Sequence, residues 1–173
     1  MSFTDGHLLA LADTLAHDHI PFWVDGGWCV DLLVGYQTRE HEDLDIAIEA
    51  AWTERAVNLL IGQGFGLRLD DDSKPWNFVL VHPDGRQIDF HVIRIGANGD
   101  GVYGPEENGQ FYPAIGLTGV GHLDGRELRC IEVTTAMSFR TGFVLRSQDC
   151  ADLLTLHNQF GLALPPEYER FCH

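Results

Sequence analysis

The sequence predicts an α+β fold, a mixed sheet with helices packed on it, because two kinds of pattern occur side by side. Apolar residues recur at helical spacing near the start and again toward the end of the chain, while several short segments between them alternate with the two-residue period of half-buried strands. The two kinds do not alternate strictly, as they would around a purely parallel sheet. A length of 173 residues fits one unit at ~100–200 residues per domain. The whole chain, 1–173, therefore reads as a single domain, with its core over about 1–132 and C-terminal helices over about 133–173.

Leu8, Leu9, Leu11, Ala12 and Leu15 follow Thr4 and Asp5, either of which can cap a first turn, so a helix is expected over 5–18, ended with the help of Pro21. Residues 22–25 are a short strand candidate, and Gly26-Gly27 opens a helix through Leu33 that Gly35 closes. A polar loop, 37–42, leads into Asp43-Leu44-Asp45-Ile46-Ala47-Ile48, where acid and apolar residues alternate as on a strand. Residues 54–63 read as a helix with Ala56, Val57, Leu59 and Leu60 inward, stopped by Gly62 and Gly64. Strands are expected over 65–69, 77–81 and 87–93, the last two joined as a hairpin by Pro83-Asp84-Gly85-Arg86. Nine glycines and two prolines crowd 96–125, giving a long functional loop or short irregular strands lying over a site. Order returns at 127–131. Helices are expected near 135–140, over 148–160 with Ser147 as cap, and after Pro165 or Pro166.

Asp and Glu number 26 against 11 Lys and Arg, Lys74 being the only lysine, for a formal net charge of −15. Affinity for a phosphate backbone comes from cations that release its counterions, so no nucleic-acid partner is expected. No apolar run approaches the ~20 residues of a membrane span, and residues 1–5 carry acid where a signal peptide carries base. No membrane partner and a cytoplasmic location are expected. Cys29, Cys130, Cys150 and Cys172 lack CxxC pairing and read as reduced core thiols.

Residues two apart on a strand share a face, so Asp43 and Asp45 present two carboxylates together while Leu44 and Ile46 enter the core. Adjacent anions repel, and a hard dication such as Mg²⁺ would neutralise them while keeping coordination positions for phosphate. Ile88-Asp89-Phe90-His91 alternates in the same way, with Asp89 among apolar neighbours. If the hairpin lies beside the first strand, Asp89 completes a set of carboxylates for one or two metal ions, an arrangement suited to in-line phosphoryl transfer. The double glycine lets a backbone approach phosphate closely, and amides opening the next helix can bind its oxygens.

The string Trp23-Val24-Asp25-Gly26-Gly27-Trp28, then Asp31, then Arg39-Glu40-His41-Glu42-Asp43-Leu44-Asp45, resembles the lincosamide and aminoglycoside 2''-nucleotidyltransferases, branches of the DNA polymerase β-type nucleotidyltransferase superfamily. The likeness continues through Asp89-Phe90-His91, Asp124-Gly125-Arg126, Cys130 and Thr141-Gly142-Phe143, over most of the chain, and is greatest to the short lincosamide type. It implies a polymerase β-like core and an antibiotic-resistance enzyme that moves a nucleoside monophosphate, AMP from ATP before other nucleotides, to a hydroxyl of a small cationic antibiotic. Asp43 and Asp45 would bind Mg²⁺ and the triphosphate, and Asp89 would face metal and act as general base. Gly26, Gly27, Arg39 and His41 would line the nucleotide. The resemblance also brings in homodimers with the acceptor near the subunit boundary.

Several residues keep two readings. Arg39 suits triphosphate oxygens or an ion pair with Glu40 or Glu42. Trp28 reads as packing; Asp31, three residues on, either holds the active-site loop through Arg39 or His41 or is a solvated helical carboxylate. His41 and His91, two residues from Asp43 and Asp89, read as supports behind the metal ligands before ligands themselves. His17-Asp18-His19 has the composition of a phosphohydrolase motif but falls at a helix end. Asp70-Asp71-Asp72 and Glu106-Glu107 are charged loops able to attract a cation, and His122 and His157 show no partner. A metal-dependent phosphohydrolase and a non-catalytic nucleotide-binding or antitoxin-like module are the alternative functions.

Overall fold

A computed structural model describes residues 2–70 and 72–172. Helix α1 (Asp5–His17) begins on Thr4, whose side chain accepts from the His7 amide, and sends Leu8, Leu11, Ala12 and Leu15 into the core. Strand β1 (Phe22–Val24) runs through Asp25 into α2 (Gly26–Val34), which closes on Gly35 in the left-handed conformation. Strand β2 (Asp43–Glu49) passes without a turn into α3 (Ala50–Gly62). That helix starts four residues earlier than its pattern predicts, because Ala50 and Ala51 continue the chain helically straight from the strand and no turn residue marks the change. Strands β3 (Gly66–Leu67), β4 (Asn77–Val81) and β5 (Gln87–Ile95) follow. The first is shorter than expected, since Phe65 packs in the core ahead of it and Arg68 and Leu69 turn outward. Of the Asp70-Asp71-Asp72 loop, Asp71 lies outside the described residues.

The glycine-rich stretch resolves into short strands, β6 (Gly101–Tyr103), β7 (Phe111–Tyr112) and β8 (Val120–Leu123), with 3₁₀ turns at Glu106–Asn108 and Ala114–Thr118. Its glycines serve close approach as well as turning: a Cβ on Gly121 would collide with the Leu32 backbone, so β8 lies directly on α2. Strand β9 (Arg126–Arg129) pairs with β8. Helix α4 (Val133–Ser138) is capped by Glu132, and α5 (Ser147–Phe160) by Arg146 rather than the expected Ser147; the Asp149 carboxylate reaches back to the Arg146 amide at 2.8 Å. Helix α6 (Pro166–Phe171) ends the described fold.

The main sheet has the order β1-β2-β5-β4-β3, with β6 on the far part of β5 and β7 on β6. Every pair in it is antiparallel except β2 with β5, which run parallel with Asp45 opposite Asp89. Fully buried Leu44, Ile46, Ile48, Ile88 and Phe90 fix that register, since a one-residue slip would turn all of them outward. A second apolar cluster joins Val30 of α2 to Met137, Leu145, Leu153 and Leu156, so the C-terminal helices are seated on the helix that follows the double glycine.

The reading of four reduced core thiols is corrected in part. Cys29 and Cys130 are free and buried, but Cys150 of α5 and Cys172 after α6 form a disulfide. Their Cα atoms lie 5.6 Å apart across a sequence separation of 22, a distance a disulfide spans readily. The juxtaposition arises from the packing of α6 on α5, which no local cysteine spacing records. Among the described residues, no helix is long and apolar enough to cross a membrane.

Candidate active site

The parallel register brings the predicted carboxylates together. Asp45 and Asp89 are neighbours on one face of the sheet, with side chains 25% and 28% exposed. His91, two residues along β5, lies opposite Ala47, whose small side chain leaves room for the ring. Its Nε2 is 3.9 Å from one oxygen of each carboxylate, and Asp45, Asp89 and His91 offer ligand atoms all within 4.8 Å of one another. Asp43 shares the face but is exposed and stays outside this group. Asn77, opposite His91 on β4, reaches diagonally to donate to Asp89 Oδ1 at 2.9 Å.

Burial, together with Asp43, Asp25 and Asp89, raises the Asp45 carboxyl to about 7 against the opposing pull of His91. Burial also raises Asp89, helped by Asp43. Burial alone would lower His91, yet its bond to Asp25 and the charges of Asp25, Asp45 and Asp89 bring it up to about 9. The imidazolium thus supplies part of the positive charge the carboxylates call for, and a dication would supply more.

Behind His91 lies a contact set that sequence reasoning missed. Asp25, 6% exposed, caps α2 by accepting the Gly26 amide on Oδ1 at 2.7 Å. Its Oδ2 accepts the Tyr112 hydroxyl at 2.8 Å and lies 3.3 Å from His91 Nδ1, which is itself 2.8 Å from the Tyr112 oxygen. Burial pushes Asp25 up, but these bonds outweigh it and hold the carboxyl below its usual range. Tyr112 comes from β7, so the glycine-rich stretch does lie against the site.

The double glycine has a packing reason. Gly26 adopts φ 60°, and a Cβ there would overlap the Asp45 carboxylate; on Gly27 it would overlap the Arg39 guanidinium and the His41 ring. His41 is 2% exposed and pairs with the fully buried Asp31 at 2.6 Å, while Asp31 also accepts the Thr38 amide at 2.9 Å. Asp31 therefore holds the loop through His41, and the solvated alternative is set aside. Arg39 pairs with neither Glu40 nor Glu42 side chains: its Nε and Nη2 grip the two oxygens of Asp152 on α5 at 3.0 and 3.1 Å. Asp152 accepts in addition from Arg140 at 3.0 Å, and the same Arg140 nitrogen donates to the Gly26 carbonyl at 2.9 Å.

A polar cleft of about 650 Å³ opens between the two sets of residues. Asp43, Asp45 and Asp89, Gly26 and Gly27, Arg39 and His41, and Phe139, Phe143, Arg146 and Asp149 all line it. The remaining motifs stay apart from it. His17 and Asp18 end α1, Asp18 bonded to Arg55; His122 faces Glu127, and His157 bonds the Leu162 carbonyl. Asp149 and Asp152 carried a legible signal, since 149, 152, 153 and 156 form one helical stripe in which two acids share the buried face with two leucines. Asp25 and Tyr112 had none beyond their places beside the glycines.

Paired carboxylates on adjacent parallel strands, a double-glycine helix start beside them and a polar cleft next to both are the features of a nucleotidyltransferase. More narrowly, the chain belongs to the aminoglycoside-2''-adenylyltransferase family, whose model matches residues 7–156. It is 28% identical over 153 residues to a lincosamide resistance protein of Staphylococcus haemolyticus, spanning 88% of this chain and 94% of that one. The lincomycin-bound crystal structure of the lincosamide antibiotic adenylyltransferase LnuA superposes with a TM-score of 0.79 at 27% identity, covering 90% of this chain and 98% of that one. ANT(2'')-Ia in complex with adenylyl-2''-tobramycin shares the fold, with a TM-score of 0.69 at 16% identity over 87% and 86% of the two chains.

Proposed function

We propose that this enzyme transfers AMP from ATP to a hydroxyl of a small cationic antibiotic, a lincosamide before an aminoglycoside, and so confers resistance in the cytoplasm. The observation that carries this reading is the Asp45–Asp89 pair set beside Gly26-Gly27 at an acidic cleft, in a chain that matches a lincosamide resistance protein over nearly its whole length. Asp43, Asp45 and Asp89 would hold Mg²⁺, whose chemistry when bound is to screen the triphosphate and the leaving pyrophosphate. The facing carboxylates of Asp45 and Asp89, with Asp43 two residues away on the same face of β2, fit such a cation.

The chain's own residues do the rest. Asp89, oriented by Asn77, takes the proton of the acceptor hydroxyl. The oxygen so freed attacks the α-phosphorus in line as pyrophosphate departs. The start of α2 borders the cleft at Gly26 and Gly27, where a phosphate would approach the backbone. Arg39 keeps part of its guanidinium at the cleft for their oxygens while Asp152 fixes its plane. Acids that line the cleft, Glu40, Glu42 and Asp43 among them, attract an amine-bearing acceptor.

Incubation with labelled ATP, GTP, CTP or UTP, Mg²⁺ and a panel of lincosamides and aminoglycosides tests this, with pyrophosphate release and adduct mass as readouts. An AMP adduct of a lincosamide is the expected result. Pyrophosphate without adduct would replace transfer by hydrolysis, and bound triphosphate without turnover would leave a binding module.

A further inference from the structure

We propose that the disulfide between Cys150 and Cys172 is a reversible redox latch which, through α6, fixes residues 141–146 at the cleft, so that the surrounding thiol and disulfide balance sets how well substrates bind. The proposal goes beyond the transferase reading and rests on it only for the identity of those substrates; the latch and its effect on the segment need none.

Apart from the disulfide, α6 is weakly held. It has six residues, none of them buried, and so short a helix has little stability of its own. Leu162, Leu164, Tyr168 and Phe171 pack half-buried against the second apolar cluster, and the His157 ring bonds the Leu162 carbonyl. The bond from Cys172 to Cys150, in the first turn of α5, adds the covalent tie.

Helix α6 in turn holds part of the cleft. The Glu167 carboxylate accepts the Gly142 amide at 3.1 Å, and Leu145 is buried in the cluster against which Tyr168 and Phe171 pack. Between those two anchors stands Phe143, which lines the cleft with Arg146, in a stretch that belongs to no helix or strand. Release of α6 therefore takes a charge-assisted bond and part of the apolar cover from residues that face the substrates.

Access separates this pair from the other two cysteines. Cys150 and Cys172 are half-buried and line a groove of about 300 Å³ together with Leu145, Ser147, Leu154 and Tyr168. Cys29 and Cys130 are fully buried, and burial pushes the Cys29 thiol up, away from the reactive thiolate. In the reducing cytoplasm of the proposed function, a disulfide within reach of small thiols is a transient, sensing one. Cys172 and all of α6 also lie beyond residue 156, where the match to the family model ends.

The oxidant is a low-molecular-weight disulfide. One protein thiolate attacks it, its S–S bond breaks, and one small thiolate leaves behind a mixed disulfide. The second protein thiolate attacks the protein sulfur of that bond and expels the other small thiolate. Two protein thiols are thereby oxidised and the small disulfide is reduced to two thiols, the two protons passing through solvent. Two small thiols reverse the sequence.

Full-length protein is equilibrated in buffers of reduced and oxidised glutathione at graded ratios, its thiols trapped by alkylation and located by mass. The Cys150 to Cys172 bond should open and close reversibly across the series while Cys29 and Cys130 stay reduced. Hydrogen exchange over 141–146, read without nucleotide, should quicken by about tenfold or more when the bond opens, as loss of a tether to a local structure does. In transfer assays the KM for ATP or acceptor should rise severalfold with a smaller change in kcat. Cys172→Ser should show the fast exchange in every buffer, and Glu167→Ala should show it with the disulfide closed. A bond that glutathione leaves closed at every ratio is a fixed staple and overturns the proposal, as does equal exchange over 141–146 in the two states. Redox-dependent exchange in a protein that makes no adduct would leave the latch standing and sink the transferase reading; adduct formation with redox-independent exchange would do the reverse.

Discussion

At the scale of single residues, the proposed function rests on a few side chains with very different visibility in the sequence. Asp45 and Asp89 were legible because each interrupts an apolar alternation, and an acid there must face either solvent or a site. Asp25 and Tyr112 were not: their meaning comes from meeting His91, at sequence separations of 66 and 21. For Arg39, sequence proximity suggested Glu40 or Glu42, whereas the actual partner lies 113 residues on. If Asp89 is the base, Asp89→Asn should lower the turnover of transfer by about 10²–10⁴-fold while nucleotide binding, measured by calorimetry, persists. Unchanged turnover would remove Asp89 from that role.

At the scale of elements, strands and helices with strong periodicity fell where expected, and the misses lie at junctions. The start of α3 was misplaced because no turn residue marks its junction, and the cap of α5 because Ser147 has a capping side chain yet stands one residue inside the helix. Helix α5 offers the sharpest test. Asp152, 2% exposed, receives bonds from two guanidiniums, one of them on a buried Arg140. Asp152→Ala should cost about 3–5 kcal/mol in chemical denaturation, the usual result of stripping the partner from a buried charge. Asp152→Asn should cost less. The α6 segment makes a second test. Its disulfide closes a loop of 22 residues, so Cys172→Ser should lower stability by up to about 3 kcal/mol by the loop-entropy estimate. Limited proteolysis near residues 161–166 should quicken in the same variant; unaltered cleavage would mean packing alone secures α6.

At the scale of the whole molecule, the α+β class, the mixed sheet and the C-terminal helices were all legible, since they depend on periodicity summed over long segments. The cleft was not, because it is made where the sheet and α5 face each other. The net charge of −15 gains a role from it. Asp43, Asp45 and Asp89 line the cleft together with Glu40 and Glu42, so negative charge is gathered where an amine-bearing acceptor would enter. The kcat/KM for a polycationic acceptor should therefore fall steeply as ionic strength rises from about 0.01 to 0.15 M, as the Debye length shrinks from ~30 to ~8 Å. A monocationic lincosamide should show a shallower slope. Equal slopes for the two would show that the surface charge does not steer the acceptor.

The bond from Arg39 to Asp152 also constrains how the enzyme comes into being. A growing chain on the ribosome can lay down β1, β2 and β5 and bring Asp45 beside Asp89 while α5 is still unmade. The loop before β2 and the Gly26 carbonyl then wait for partners that are synthesised more than a hundred residues later. Both partners arrive only when the C-terminal helices seat on α2, so the floor of the cleft is closed by the part of the chain made last.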